Sequence, residues 1–101
     1  MTVEALSAEE VFKKLTLLNE SLQVPWVLQS EKLTKTFVFN NFIEAFGFMS
    51  KVALYAEKVN HHPEWSNVYK TVVVQLTTHE AAGISQKDFD LAQQMESLAQ
   101  R

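Results

Sequence analysis

The chain has 101 residues, a formal net charge of −3 and no cysteine, so it is long enough for one domain and too short for a second. Its acidic balance argues against binding to a nucleic-acid backbone, and the lack of cysteine excludes disulfides, thiolate nucleophiles and zinc-thiolate sites. Residues 1–5 lack the basic and apolar regions of a signal peptide, and no apolar run approaches membrane-spanning length. We therefore expect a cytoplasmic protein with no membrane contact and no direct nucleic-acid partner.

A serine-led capping box predicts where the first helix begins. Ser7 and Glu10 are spaced so that each side chain can bond the other residue's backbone N–H. The apolar residues that follow at alternating spacings of four and three form one helix face: Val11, Leu15, Leu18 and Leu22. Pro25 ends this segment, and we expect the helix to cover a flat surface.

Two short strands are predicted next. Residues 26–28 have the composition of a short strand, and residues 32–39 alternate in polarity. One side of the second strand carries Leu33, Phe37 and Phe39, and the other carries Thr34, Thr36 and Val38. We expect the two strands to pair through the turn at residues 29–31.

The longest helix is predicted from a second cap at Asn41 to about Val59, because no proline intervenes before Pro63. Its apolar residues form two neighbouring stripes, one of Phe42, Phe46, Met49, Ala53 and Ala56 and one of Ala45, Phe48, Val52, Tyr55 and Val59. A surface helix of a one-domain protein needs one apolar face, so the extra stripe predicts a second subunit. The alternative is that the first helix covers the second stripe.

The last third of the chain predicts a second strand pair and a third helix. Residues 65–68 and 71–78 form the pair, and their alternation places His79 on the polar face of the sheet or at its rim. Residues 85–88 are a third cap, and the final helix presents Leu91, Ala92, Met95, Leu98 and Ala99 on one side. The predicted fold is one α+β domain over residues 1–101, in the order α-β-β-α-β-β-α. Its four-stranded antiparallel sheet is covered on one face by three helices.

Two of the three histidines lie at the corner between the long helix and the next strand. Glu57 is four residues before His61, so on a continuing helix the carboxylate would orient that imidazole. His62 precedes Pro63, which favours an extended backbone, so we expect the two rings to diverge and to differ in role. With Trp65 nearby, the corner would suit a flat heteroaromatic ligand. The alternatives are histidines with only a surface role and a tryptophan that belongs to the core.

Other chemistries fit the sequence less well. Glu57, His61, His62 and His79 could supply metal ligands, but they lack the His-x-x-x-His and His-Glu-x-x-His spacings. There is no Gly-x-Ser-x-Gly motif, and two glycines leave no phosphate-binding loop. We therefore expect acid–base chemistry by histidine, with no metal and no cofactor.

Several segments of the sequence together match a known pattern: Ala45-Phe46-Gly47-Phe48-Met49, residues 56–65 with His-His-Pro-Glu-Trp, Asn67-Val68-Tyr69, Thr78-His79-Glu80, Ala82-Gly83 and Asp88. They resemble the pterin-4a-carbinolamine dehydratase family, also called the dimerisation cofactor of a homeodomain transcription factor. The resemblance covers nearly the whole chain and is weakest over the first thirty residues.

The resemblance implies an enzyme that removes water from 4a-hydroxytetrahydropterin, which forms when aromatic amino acid hydroxylases consume tetrahydrobiopterin. The product would be the quinonoid dihydropterin, which is then recycled. His61 and His79 would be the acid–base pair. His62 would also be a catalytic-site residue, and it would hold the substrate. The polar edge of the pterin would be lined by Asn60, Thr77, Thr78 and Glu80, beside Trp65, with Glu57 and Asp88 in support. Which histidine acts as the acid stays open.

Two positions depart from the family pattern. Asn60 occupies a position where many members have Asp. Lys70 follows Val68 and Tyr69 in a turn whose common form in the family is Val-Tyr-Asn. Neither changes a histidine, so we expect activity to survive. The resemblance also implies a homodimer or homotetramer that forms through sheet edges and the long helix. The competing hypothesis is a transcriptional coactivator whose long helix binds a partner's dimerisation helix; its nuclear location would have no basic cluster to direct it.

Overall fold

A computed structural model of the chain describes residues 3–100 and confirms the predicted order of elements. The helices are α1 (Ala8–Asn19), α2 (Phe42–Val59) and α3 (Gln86–Ala99), and the strands are β1 (Val27–Gln29), β2 (Lys32–Val38), β3 (Glu64–Val68) and β4 (Thr71–Leu76). A short 3₁₀ turn, His79–Ala81, follows β4. Within residues 3–100, no helix combines the length and apolar character that crossing a membrane requires.

The four strands form one antiparallel sheet in the order β1-β2-β4-β3. The predicted hairpin between β1 and β2 is confirmed, and its turn residues Ser30 and Glu31 both have positive φ angles, which suits the right-handed strand twist. The last strand is shorter than predicted and ends at Leu76. Thr78 leaves the ladder because its backbone N–H donates to the carbonyl of Gly83, at 2.9 Å.

The helices cover one face of this sheet, and the core lies between them. Strand side chains that point to the helices are buried, among them Leu33, Phe37, Val72, Val74 and Leu76. On the same side, Lys35 and the indole N–H of Trp26 both donate to Glu96 of α3. These groups fix α3 against the sheet while meeting their hydrogen-bonding needs.

Helix α2 buries only part of its apolar surface. Its inner side packs mainly on α3 and β4, not on α1 as the alternative prediction had it, and it buries Ala45, Phe48, Val52 and Ala56. The outer side leaves Phe42, Ile43, Phe46 and Leu54 exposed. The apolar stripe that contains Ala45, Phe48 and Val52 is thus largely covered within the domain. The side of α2 that carries Phe42 and Phe46 is exposed to solvent.

All three predicted helix caps are confirmed. Ser7 and Glu10 form a complete capping box, Asn41 accepts from the N–H of Glu44, and Ser85 forms a second box with Asp88. The hydrogen bond from the Ser7 backbone N–H holds the pKa of Glu10 below its usual value. The Ser85 cap also places the Asp88 carboxylate at the start of α3, close to the histidines that follow α2.

Candidate active site

Helix α2 ends in a turn that decides where the adjacent histidines point. Asn60 adopts a left-handed conformation (φ 55°, ψ 45°), which asparagine tolerates better than most residues. Its N–H donates to Glu57 and the N–H of His61 donates to Ala56, the bonding pattern of a Schellman motif. The chain therefore leaves the helix before His61, and the predicted pairing of Glu57 with His61 is wrong.

His61 turns inward and pairs with Asp88 instead. Its Nε2 lies 2.7 Å from Oδ1 of Asp88, and the two side chains are 8% and 0% exposed. The other carboxylate oxygen, Oδ2, accepts from the Thr78 hydroxyl at 2.8 Å and from the Ser85 backbone N–H at 2.9 Å. One buried carboxylate thus connects the ends of α2 and β4 to the start of α3.

His62, and not His61, pairs with Glu57. Its Nε2 lies 3.0 Å from Oε1 of Glu57, and both side chains face solvent. The αL residue at Asn60 reverses the chain, so the residue five positions beyond Glu57 meets it rather than the residue four beyond. The two histidines diverge, as predicted from the proline that follows them.

His79 has a third carboxylate partner at the rim of the sheet. Its Nε2 lies 3.0 Å from Oε2 of Glu64, while Oε1 of Glu64 accepts from Nζ of Lys32 at 2.6 Å. The hydrogen bond from Lys32 is the main cause that lowers the pKa of Glu64, and His79 adds to this effect. Glu64 is therefore ionised at neutral pH and can accept from both neighbours.

The three histidines share one bonding pattern. Each places Nε2 within hydrogen-bonding distance of a carboxylate oxygen. An ionised carboxylate can only accept, so against such a partner Nε2 is the nitrogen that carries the proton. Within residues 3–100, no protein group bonds to Nδ1 of any of them. In each ring Nδ1 is therefore the nitrogen left open to a substrate, with which it could exchange a proton.

Two separate clefts adjoin these residues. Thr77, Thr78 and His79 line an open cleft of about 400 Å³ with Lys32. His61 lines a smaller one of about 90 Å³. The two linings share no residue. They are connected by a series of contacts: His79 follows Thr78 in the chain, the Thr78 hydroxyl donates to Asp88, and Asp88 pairs with His61.

The remaining predicted site residues lie around this corner. Asn60 and Glu80 are exposed, and Trp65 is half-buried on the helix side of β3, where it packs against the core. In residues 3–100, no three acidic, histidine or cysteine side chains converge in a way that could hold a metal ion.

Sequence reasoning missed Lys32, Glu64 and Ser85 as members of the site. For Ser85 a signal was present, because the predicted capping box already placed Asp88 beside its backbone N–H. No local pattern marks the other two. Their meeting depends on which strands become neighbours in the sheet.

Comparison with known proteins relates nearly the whole chain to one family. The sequence profile of the family described as Pterin 4 alpha carbinolamine dehydratase matches residues 4–98. A protein of Prochlorococcus marinus (strain MIT 9303) is 48% identical over 98 residues, which is 97% of each chain. One of Roseobacter denitrificans is 61% identical over 69 residues, which is 68% of this chain and 70% of that one. Both carry the provisional name pterin-4-alpha-carbinolamine dehydratase.

Solved structures show the same fold. A Brucella melitensis protein described as a transcriptional coactivator/pterin dehydratase superposes with a TM-score of 0.86 at 39% identity, over 96% of this chain and 100% of that one. A pterin dehydratase-like protein described as a RuBisCO assembly factor in the α-carboxysome superposes with a TM-score of 0.64 at 23% identity, over 73% of this chain and 88% of that one. The second likeness concerns the fold alone.

Proposed function

Because the chain belongs to the pterin-4a-carbinolamine dehydratase family, we propose that it removes water from a 4a-hydroxytetrahydropterin in the recycling of tetrahydrobiopterin. The observation that carries this proposal is the shared pattern of His61, His62 and His79, each with Nε2 on a carboxylate. His61 and His79 each line a cleft and His62 faces solvent, and an imidazole beside a carboxylate is suited to proton transfer.

The reaction needs two proton transfers. The bond from C4a to its hydroxyl breaks as that oxygen receives a proton and leaves as water. The N5 proton is removed, and the N–H electron pair becomes the N5–C4a double bond of the quinonoid dihydropterin. One acid and one base suffice, and the two transfers leave the enzyme's total proton count unchanged.

The surroundings of the histidines support different roles. His61 is buried on a carboxylate that accepts three hydrogen bonds, so its ring is firmly oriented. The side chain of His79 is 83% exposed and lies at the open cleft, where a substrate can reach it. We assign these two to proton transfer. His62, with Asn60, Thr77, Thr78 and Glu80, would hold the polar edge of the pterin.

Stopped-flow absorbance of 4a-hydroxytetrahydropterin decay tests this function. We expect the wild-type protein to accelerate the decay and His61→Ala to lose about 100-fold or more of that acceleration, since general acid–base groups contribute on this scale. Lys13→Ala, on exposed α1, serves as the matched control and should keep the wild-type rate. The proposal fails if the wild-type protein gives no acceleration, or if His61→Ala is as fast as the wild type.

We further propose that the exposed side of α2 joins copies of this chain into a homo-oligomer. The rings of Phe42 and Phe46 lie with their centres 5.8 Å apart, and Ile43 and Leu54 of the same helix are also exposed. An apolar patch on one helix is a suitable contact for the same patch in a second copy. Edges β1 and β3 of the sheet would provide the other contact.

The same surface favours one alternative function. An amphipathic helix of a partner could lie on the exposed side of α2 in place of a second copy. The Brucella melitensis relative is described as a coactivator as well as a dehydratase, so a coactivator role remains a proposal for this chain beside the enzyme activity.

A further inference from the structure

Lys32 and Glu64 meet across an intervening strand. Each is the first residue of its strand, β2 or β3, and β4 lies between the two. The two strands are therefore separated by about 10 Å, two strand spacings, and on β4 the residue opposite Glu64 is Gln75, which also lies opposite Thr34 of β2. The side chains of Lys32 and Glu64 must therefore extend across β4 to meet. The resulting contact is 2.6 Å long, and the two side chains are 32% and 34% exposed.

This contact fixes how the Glu64 carboxylate is turned. Lys32 takes Oε1 and His79 takes Oε2, so each oxygen has its own cationic or N–H partner. Within residues 3–100, Glu64 is the only carboxylate bonded to His79. Without the ammonium group, the carboxylate would rotate among several orientations, and only some of them would meet the imidazole.

We propose that Lys32 is a positioning residue for His79, acting through Glu64 to hold the imidazole with Nε2–H on the carboxylate and Nδ1 towards the cleft. The expected effect of Lys32 on kcat rests on the proposed dehydratase function, whereas its expected effect on the His79 tautomer does not. Lys32 lines the same cleft as His79, so the competing role is direct contact with the substrate. The two roles predict different results.

The structural test is the ring tautomer of His79, read from ¹⁵N chemical shifts of the imidazole without any substrate. The wild-type protein should show predominantly Nε2–H. Lys32→Met, which keeps the length of the side chain and removes its charge, should shift His79 towards a mixture of tautomers, and Lys32→Arg should restore the wild-type pattern. Lys13→Met, which removes the lysine of an exposed ion pair on α1, is the matched control. An unchanged His79 pattern in Lys32→Met would overturn the proposal.

The kinetic test separates positioning from binding. Because the Lys32–Glu64 pair is partly solvated and worth little on its own, we expect kcat to fall only about three- to fivefold in Lys32→Met, with KM nearly unchanged and recovery in Lys32→Arg. A rise in KM at constant kcat would instead assign Lys32 to substrate binding and refute the positioning role. If the wild-type protein shows no dehydratase activity, the proposed function fails, while the tautomer measurement still decides the role of Lys32.

Discussion

Asp88→Asn should lower kcat for dehydration about 100-fold while the protein stays folded. In the amide, one oxygen can still accept from the Ser85 N–H and the Thr78 hydroxyl, as Oδ2 does in the wild type. The amide NH₂ then faces Nε2 of His61, which must become an acceptor and move its proton to Nδ1. The imidazole keeps its position but presents the wrong nitrogen for proton exchange.

Stopped-flow kinetics, with circular dichroism on the same samples, check this result. Glu20→Gln removes one negative charge from an exposed side chain just after α1 and should retain wild-type kinetics. If Asp88→Asn were folded and fully active, the buried carboxylate would have no part in orienting His61. The Asp88 carboxylate would then serve only to cap the N-terminus of α3.

Phe46→Glu should dissociate the proposed oligomer. Phe46 is 56% exposed on the outer side of α2 and adjoins Phe42. Burial of a phenylalanine side chain in an interface contributes about 1.5–3 kcal/mol, so its loss weakens self-association about 10- to 100-fold. A carboxylate in the apolar contact adds a desolvation cost. Sedimentation velocity over a concentration series measures the change in mass.

Phe12→Glu provides the matched comparison. Phe12 is 70% exposed on α1, so the substitution is chemically identical but falls on another helix, and the oligomer should persist. A monomeric wild-type protein would contradict the interface proposal. The same holds if Phe46→Glu keeps the oligomer, or if both variants lose it to the same extent.

The fold could be predicted well because its signals are local. The caps led by Ser7, Asn41 and Ser85 all form as their sequences indicate. Alternation in residues 32–39 correctly separated the buried Leu33 and Phe37 from the exposed Thr36 and Val38, although Thr34 on that second side is buried as well. Each of these signals acts between residues a few positions apart, where backbone geometry alone decides the outcome.

The site could be predicted only in part, because its contacts depend on one dihedral choice and on long-range pairing. The left-handed turn at Asn60 brings His62, not His61, to Glu57 and turns His61 towards Asp88. Helix periodicity carries no information about residues beyond such a turn. Glu64 meets Lys32 only because β4 places β2 and β3 on its two sides. The sequence of a strand does not by itself determine which strands it pairs with.

The most direct test of the central claim, that a pterin binds where three carboxylates hold the three histidines, is an NMR titration. The ¹⁵N-labelled protein would be titrated with 7,8-dihydrobiopterin as a stable pterin probe. We expect saturable shifts concentrated in the backbone amides of residues 60–62 and 77–80, with little change along the exposed side of α2. Shifts concentrated at Phe42, Phe46 and Leu54, or no saturable shifts at all, would contradict the account.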